Sequence, residues 1–255
     1  MRRFTFSALL AYLLAAPVLA APAAASAEGA KTLFVYGPGG PFTPVRACGE
    51  RFQRARGIAV KVDGGPEDRW IAKAAKDADL IFSAAEYMLS DFARRHPGLL
   101  DPSARESLWV RRAAILVRRG NPKAIRSMHD LAKPGVRILD VTSAGQTGLW
   151  EDLAGRHGLI PAVQKNIAAS FSNTAEAMAA WRNQPELDAW ITFASWQDRM
   201  RDDTDVVELP KRDRLYRGTP VAVTLRSRSR EEAMAFVAFL RSEECHAVFR
   251  QAGWE

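Results

Sequence analysis

The sequence predicts an α/β fold of two lobes, each a mixed, mostly parallel sheet flanked by helices, with a hinge of two crossings between them. Short apolar segments alternate with helical segments along the chain, which is typical of βαβ units. Three turns of small residues, at 37–41, 83–86 and 143–148, each follow an apolar segment and open a helix. Without its first 27 residues the chain keeps 228, enough for one large domain or two small ones.

Residues 1–27 have the pattern of a signal peptide. Arg2 and Arg3 supply the positive charge, Phe4–Leu19 is apolar, and Ala25-Ser26-Ala27 is a cleavage site of small residues. A second cleavage site ends at Ala20, and no cysteine follows either site to carry a lipid. No later segment approaches the roughly 20 apolar residues that a membrane span needs. We therefore expect export to the periplasm as a soluble chain.

The charge of the chain favours an anionic solute as the partner. The formal charge of +7 falls to +5 when residues 1–27 are removed, since Arg2 and Arg3 leave with them. A basic surface attracts small anions, anionic surfaces or nucleic acid. Aromatic residues do not interleave with the basic ones and no nucleic-acid motif is present, so we expect no nucleic-acid partner.

The chain contains two cysteines, Cys48 and Cys245. In an oxidising compartment they could pair, and a bridge closing so long a loop would add roughly 4 to 5 kcal/mol. Two buried thiols are the alternative, and the sequence leaves both open.

The first half of the chain carries clear helix signals. Thr43 is predicted as an N-cap with Pro44 in the first turn, and Gly57 ends that helix. Ser83-x-x-Glu86 has the pattern of a capping box. The predicted strands are 31–36, 58–62, 79–82 and 110–118, and the predicted helices are 43–56, 67–76 and 83–94.

A second series of strands and helices follows the break at Gly120-Asn121-Pro122. Asn173-x-x-Glu176 is predicted to cap a helix. The predicted strands are 136–141, 167–171, 187–193, 206–209 and 221–225, and the predicted helices are 128–132, 146–156, 173–182 and 231–249. With crossings near 115–120 and 218–223, we expect residues 28–117 and 218–255 to form lobe 1 and residues 118–217 to form lobe 2.

The turns at strand ends are the candidate ligand site. A turn that opens a helix points unpaired backbone amides, and the positive end of the helix dipole, at one spot. Ligands of open α/β sheets lie beyond the carboxyl ends of the strands, so two facing lobes would form a cleft there. For any single turn, helix capping without a ligand is the alternative, and we interpret Glu86 as a cap. The candidate residues in these turns are Gly39, Gly40, Ser83, Ala84, Ser143, Gly145, Gln146, Thr147 and Asn173.

Side chains near the predicted crossings supply the charged and aromatic candidates. Arg111 and Arg217 could each grip an oxyanion with two parallel hydrogen bonds, and Tyr216 precedes Arg217. In so basic a chain, the alternative is that Arg111 and Arg217 are solvent-exposed surface side chains without a ligand. Trp190 is the tryptophan that we expect to face the cleft.

Catalytic and cofactor motifs are missing from the sequence. The four histidines are dispersed without metal-ligand spacing, and there is no Gly-x-Ser-x-Gly elbow, P-loop or His-Glu-x-x-His motif. The glycines at 37–40 lack the third glycine of a dinucleotide fingerprint. We therefore expect a binding protein rather than an enzyme, with no cofactor and no metal.

Several segments together resemble the accessory colonisation factor AcfC-type proteins. They are Val35–Pro41, Asp79–Met88, Ala113–Val117 with the following Gly120-Asn121-Pro122, Gly145–Asp152 and Leu187–Trp190. The resemblance implies a type II periplasmic solute-binding protein, similar to molybdate- and sulfate-binding proteins, that captures sulfate, a phosphorylated metabolite or a citrate-like anion. Residues in matching or similar positions are Gly39, Gly40, Ser83, Gln146, Thr147, Arg111, Tyr216 and Arg217.

The expected function is capture of a small anion in the cleft for uptake through an ABC-type permease. One alternative is an exported colonisation or chemosensory factor that presents its ligand to a receptor, and the absence of a neighbouring permease gene would favour it. Another is an enzyme on the same fold acting on phosphorylated substrates, which turnover of a ligand would favour. The sequence leaves open whether the protein forms a homodimer.

Overall fold

The computed structural model describes Met1 and residues 31–255. The predicted signal peptide and both of its cleavage sites lie outside these described residues, apart from Met1. The strands are β1 Thr32–Gly37, β2 Ala59–Gly64, β3 Leu80–Phe82, β4 Leu100–Ser107, β5 Arg111–Arg118, β6 Ile138–Val141, β7 Ile167–Phe171, β8 Ala189–Phe193, β9 Thr204–Val207, β10 Tyr216–Arg217 and β11 Pro220–Thr224. The helices are α1 Phe42–Arg56, α2 Glu67–Asp77, α3 Glu86–Arg95, α4 Met128–Leu131, α5 Leu149–Gly155, α6 Ile160–Asn166, α7 Thr174–Asn183, α8 Arg230–Leu240 and α9 Glu243–Gln251.

The first sheet has the strand order β2-β1-β3-β11-β4. β1 pairs parallel with β2 and β3, because α1 and α2 carry the chain back across the sheet between these strands. β11 enters from the second lobe and pairs antiparallel with β3 and β4. The sheet is covered on both faces, since one apolar cluster packs under α1, α8 and α9 and another under α2 and α3.

The second sheet has the order β10-β5-β8-β6-β7, and β9 also pairs with β5. β6 pairs parallel with β7 and β8, whereas β5 is antiparallel to β8, β9 and β10. A separate core holds this lobe together. The predicted α/β fold of two mixed sheets flanked by helices is confirmed, although antiparallel pairing is more extensive than we predicted.

The chain passes between the sheets at two adjacent segments. The first crossing is residues 108–110, between β4 and β5, and the second is residues 218–219, between β10 and β11. They contact each other, since the Leu108 amide donates to the Thr219 carbonyl at 3.0 Å. The prediction of a first crossing at 115–120 is wrong, because those residues continue β5 through its pairing with β8 and β9. The predicted lobe boundary at 117/118 therefore divides a strand that belongs whole to the second sheet.

Some predicted element ends differ from the structure. α1 begins at Phe42, so Thr43 is not its N-cap. The capping box at Ser83 does not form: Ala85 is the N-cap of α3, and the Glu86 carboxylate instead accepts from Ser107 Oγ at 2.8 Å. Asn173 does cap α7 as predicted, accepting from the Glu176 amide at 3.0 Å.

β4 and α6 are not among the predicted elements, and α8 and α9 were predicted as one helix. β4 is an edge strand carrying Pro102 and alternating charges, a composition that edge strands tolerate. The last predicted helix is interrupted because α8 ends at Leu240 and Ser242 caps α9, accepting from the Cys245 amide at 3.3 Å.

A disulfide joins Cys48 in α1 to Cys245 in α9, with a Cα–Cα distance of 5.7 Å. The structure thus contains the paired form of the two alternatives that the sequence left open. Within residues 31–255, no helix combines the length and apolar composition needed to cross a membrane.

Candidate functional site

A cavity of about 450 Å³ lies between the two lobes, at the ends of the strands where the chain turns into helices. The first lobe contributes the turn before α1, the first turn of α2 and one side of α3 along its whole length. The second lobe contributes the loop after β6, the start of α7 and the 3₁₀ helix at 194–199. Predicted site residues that line the cavity are Gly39, Gly40, Ser83, Ser143, Thr147 and Asn173.

Arg111, the first residue of β5, is fully buried directly behind the cavity wall. Its Nη2 donates to the Ala84 carbonyl at 2.6 Å. A Cβ placed on Gly40 would lie 3.1 Å from Nη1, and one placed on Gly145 would lie 2.8 Å from Nη2. Glycine at these two positions therefore lets the main chain of both lobes approach the guanidinium.

The Arg111 guanidinium lacks a carboxylate partner in the described chain, and its Nε and Nη1 have no hydrogen-bond acceptor there. Aromatic faces surround it instead, with Cζ 4.0 Å from the Phe193 ring centroid and 5.5 Å from that of Trp254. A buried charge without an oppositely charged partner strongly destabilises a folded protein. A negatively charged ligand would compensate this charge.

The pKa of Arg111 is lowered to about 9, chiefly by burial; neighbouring Tyr87 acts to raise the pKa and Arg217 to lower it. The group is therefore positively charged at neutral pH. Tyr87 lines the same cavity, and its hydroxyl is buried without a partner in the described chain. Two polar groups at one place thus have unused hydrogen-bonding capacity.

Backbone amides from both lobes are also unused near this point. Within residues 31–255 the amides of Ala84 and Ala85, before α3, and of Ala144 and Gly145, after β6, donate to no acceptor. Ala144 and Gly145 both have left-handed backbone, with φ of 57° and 84°. Such a conformation is strained for alanine, and strained backbone clusters at ligand sites.

Residues 33–255 match the sequence model of a family described as bacterial extracellular solute-binding protein. The chain belongs to this family. Among solved structures, PEB3 from Campylobacter jejuni is 32% identical, with a TM-score of 0.79 over 88% of this chain and 99% of that one. PEB3 bound to L-phospholactate is equally identical, with a TM-score of 0.80 over the same shares. No curated protein sequence matches the chain.

More distant members of the fold confirm the bilobal architecture. The sulfate-binding protein SubI from Mycobacterium tuberculosis is 19% identical, with a TM-score of 0.70 over 88% of this chain and 86% of SubI. The periplasmic molybdate-binding protein of Azotobacter vinelandii is 14% identical, with a TM-score of 0.66 over 88% and 98% of the two chains. These likenesses establish the fold alone, and the narrower AcfC-type resemblance stays a prediction.

Three side chains that line the cavity are already hydrogen-bonded to the backbone of the second lobe. Thr147 Oγ1 donates to the Thr142 carbonyl at 2.9 Å, and the Ser143 hydroxyl donates to the Ser172 carbonyl. Asn173 Oδ1 caps α7. These side chains shape the second-lobe wall. The main-chain amides beside them are stronger candidates as hydrogen-bond donors to a ligand.

The structure does not bring Gln146, Tyr216 or Arg217 to the cavity wall. Gln146 is buried, donating to Thr174 Oγ1 at 3.2 Å and accepting from Trp190 Nε1 at 3.0 Å. Trp190 is therefore a core residue, and the prediction that it faces the cleft is wrong. Arg217 donates to Asp152 at 2.6 Å. Ala84 and Gly145 likewise lie behind the wall, against Arg111.

Several residues that line the cavity were not predicted from the sequence. Arg199 of the second lobe is linked to the first lobe, because its Nη2 donates to Thr43 Oγ1 at 2.8 Å. Its guanidinium also lies 4.8 Å from the ring centroid of Trp196 in its own lobe. Tyr87 and Met88 could have been found, since they directly follow a predicted turn at the start of α3. Nothing in the sequence signals Arg199, which comes from a 3₁₀ helix.

A metal site is not formed by the described residues. No group of three or more histidine, cysteine, aspartate or glutamate side chains within them could hold an ion.

Proposed function

We propose that this protein is a periplasmic binding protein that captures a small oxyanion or organic anion between its lobes and delivers it to an ABC-type permease. The observation that carries the proposal is the fully buried Arg111 guanidinium, whose Nε and Nη1 have no partner in the described chain. Buried charges in proteins are normally paired, so a ligand that completes the pair must be anionic.

The surroundings of Arg111 suit an oxyanion with several oxygens. The Tyr87 hydroxyl and the amides of Ala84, Ala85, Ala144 and Gly145 offer neutral donors from both lobes. Charge-assisted hydrogen bonds to an ionised oxygen are about twice as strong as neutral ones. Because donors come from both lobes, binding would stabilise the contact between the lobes that the Arg199–Thr43 hydrogen bond also makes.

The named ligands of similar proteins fit this chemistry. PEB3 has been crystallised with L-phospholactate, which carries a phosphate and a carboxylate on a short carbon body. SubI is named for sulfate. The 32% identity to PEB3 supports a phosphorylated organic acid ahead of a bare inorganic oxyanion, and the AcfC-type resemblance supports the same exported role.

A screen of anions against the purified mature chain tests binding. Thermal shift and calorimetry would compare sulfate, molybdate, phosphate, citrate, phosphoglycerate and phospholactate, with glycerol as the neutral control. A ligand at 100 times its Kd stabilises the folded state by about 2.7 kcal/mol, which is roughly 5 to 10 °C in a domain of this size. If no anion raises Tm at millimolar concentration, the proposed function is wrong.

Uptake of the identified anion separates transport from sensing. Cells lacking the gene should accumulate the labelled anion more slowly, and expression of the protein should restore the rate. Unchanged uptake, with binding intact in vitro, would favour the non-transport factor.

A further inference from the structure

We infer that the ligand is an elongated organic anion: its charged head lies beside Arg111, and an uncharged, largely apolar body extends along α3. This inference rests on the proposed function, because it presumes that an anion binds in the cavity. It goes further by specifying the part of the ligand that carries no charge.

The length of the cavity along α3 is the first argument. Tyr87, Asp91 and Arg95 line it at intervals of four residues, and Met88 and Phe92 line it beside them. One side of the helix therefore faces the cavity from its first turn to its last. At 1.5 Å per residue, the distance from Tyr87 to Arg95 is about 12 Å, which is longer than any tetrahedral oxyanion.

The volume of the cavity leads to the same conclusion. The space measures about 450 Å³. Since a water molecule occupies about 30 Å³, it has room for on the order of fifteen such groups. Sulfate, phosphate and molybdate have five heavy atoms and would leave most of this space unfilled.

Apolar side chains line the cavity from both lobes. Met88 of α3 and Met178 of α7 line it from opposite lobes, and both are partly exposed. Trp70 and Phe92, with ring centroids 5.7 Å apart, also line the cavity. Apolar walls with a few polar groups are typical of sites for organic ligands, and methionine adapts to the shape of its neighbour.

The charges at the far end of α3 already neutralise each other. Arg95 Nη2 donates to Glu67 Oε2 at 2.8 Å, and His96 lies 2.9 Å from the same carboxylate. Asp91 forms an ion pair with Arg94 at 2.7 Å. Along α3, no unpaired charge therefore calls for a second charged group on the ligand.

Arg199 also lines the cavity without a carboxylate partner among the described residues. It donates to Thr43 Oγ1 at 2.8 Å and to the Gly39 carbonyl at 3.5 Å, next to Gly40 and hence on the Arg111 side. The charge of the ligand is therefore concentrated at the Arg111 end.

A homologous series of ligands tests the inference. Calorimetry would compare inorganic phosphate with methyl, propyl, butyl and phenyl phosphate, and acetate with butanoate and hexanoate. Each methylene buried on an apolar wall should tighten binding roughly fourfold, so butyl phosphate should bind about 60-fold tighter than methyl phosphate. Equal affinity along both series would overturn the inference while leaving anion capture intact. If no member of either series and no inorganic anion binds, the proposed function itself fails.

Variants of the two methionines locate the apolar body. We expect Met88→Ser with Met178→Ser to reduce the preference for butyl over methyl phosphate at least fivefold. The matched control is Met234→Ser, since Met234 is an exposed methionine on α8 outside the cavity wall. The inference is also overturned if the double variant keeps the native preference, or if Met234→Ser reduces the preference equally.

Discussion

Replacing Arg111 with methionine should weaken anion binding at least a hundredfold and leave the protein folded. Methionine fills a similar volume without charge and can pack between Phe193 and Trp254, whose rings face the guanidinium. In the complex, Nε and Nη1 would each donate to the anion. A hydrogen bond to a charged group contributes about 1.5 to 3 kcal/mol, so losing two costs about 3 to 6 kcal/mol, or a 10²- to 10⁴-fold weaker Kd.

The stability of the ligand-free variant follows from opposing effects. Removing an unpaired buried charge relieves a desolvation penalty of several kcal/mol. Against this, the Ala84 carbonyl loses its donor, which costs about 1 to 3 kcal/mol, and the cation–π contact contributes about 2 kcal/mol. Because these effects nearly cancel, we expect the free energy of unfolding to change by less than about 2 kcal/mol, or about 4 to 8 °C in Tm.

Calorimetric titration and thermal melts with and without the best anion of the screen would measure both quantities. Arg112→Met is the matched control: Arg112 is the next residue on β5, and it is already paired with Glu208 and with Glu255, the latter at 2.6 Å. The control should change Kd less than fivefold. A native Kd in folded Arg111→Met would refute the reasoning that the buried charge holds the ligand.

Three further predictions concern stability. Breaking the disulfide with Cys48→Ser and Cys245→Ser should lower the free energy of unfolding by about 5 kcal/mol in urea titration, since the bridge spans 197 residues of sequence; a loss below 1 kcal/mol would contradict the loop-entropy argument. Gly145→Ala should lower Tm by several degrees, because its φ is +84° and the added Cβ would lie 2.8 Å from the Ala84 carbonyl; Gly158→Ala, with φ of +67° and open space around it, should cost only the backbone strain of about 1 kcal/mol. The hydrogen bond from Lys133, with those from the Arg126 amide and the Ser127 hydroxyl, lowers the pKa of Asp130 to about 2, so its contribution to stability is present above the unfolded pKa of about 4 and is lost as pH falls toward 2. Asp130→Asn should flatten the acid limb of a pH–stability curve in that window, and an unchanged limb would show that Asp130 does not contribute.

The strand-end turns could be predicted from the sequence because each depends on local chemistry. Gly39, Ser83 and Ser143 sit between a short apolar strand and a helix, and the carboxyl ends of such strands converge at one edge of a sheet. The structure places all three on the wall of one cavity. β4 could not be predicted in this way, because its stability comes from pairing with β11, some 110 residues later in the chain.

The partners of polar side chains required the three-dimensional structure. Arg111 and Arg217 looked equivalent in sequence, yet Asp152 neutralises Arg217 whereas Arg111 faces aromatic rings. Gln146 resembled a ligand residue until the fold placed Trp190 and Thr174 against its amide. Neighbours distant in the chain thus decide which polar group is left for a ligand.

The bond between Cys48 and Cys245 makes the whole second lobe an insertion inside a covalent ring. A protease that cuts a loop of that lobe would leave two polypeptides that cannot separate, because the disulfide joins one to the other. Gel electrophoresis of the nicked protein would then give one band without reductant and two bands with it.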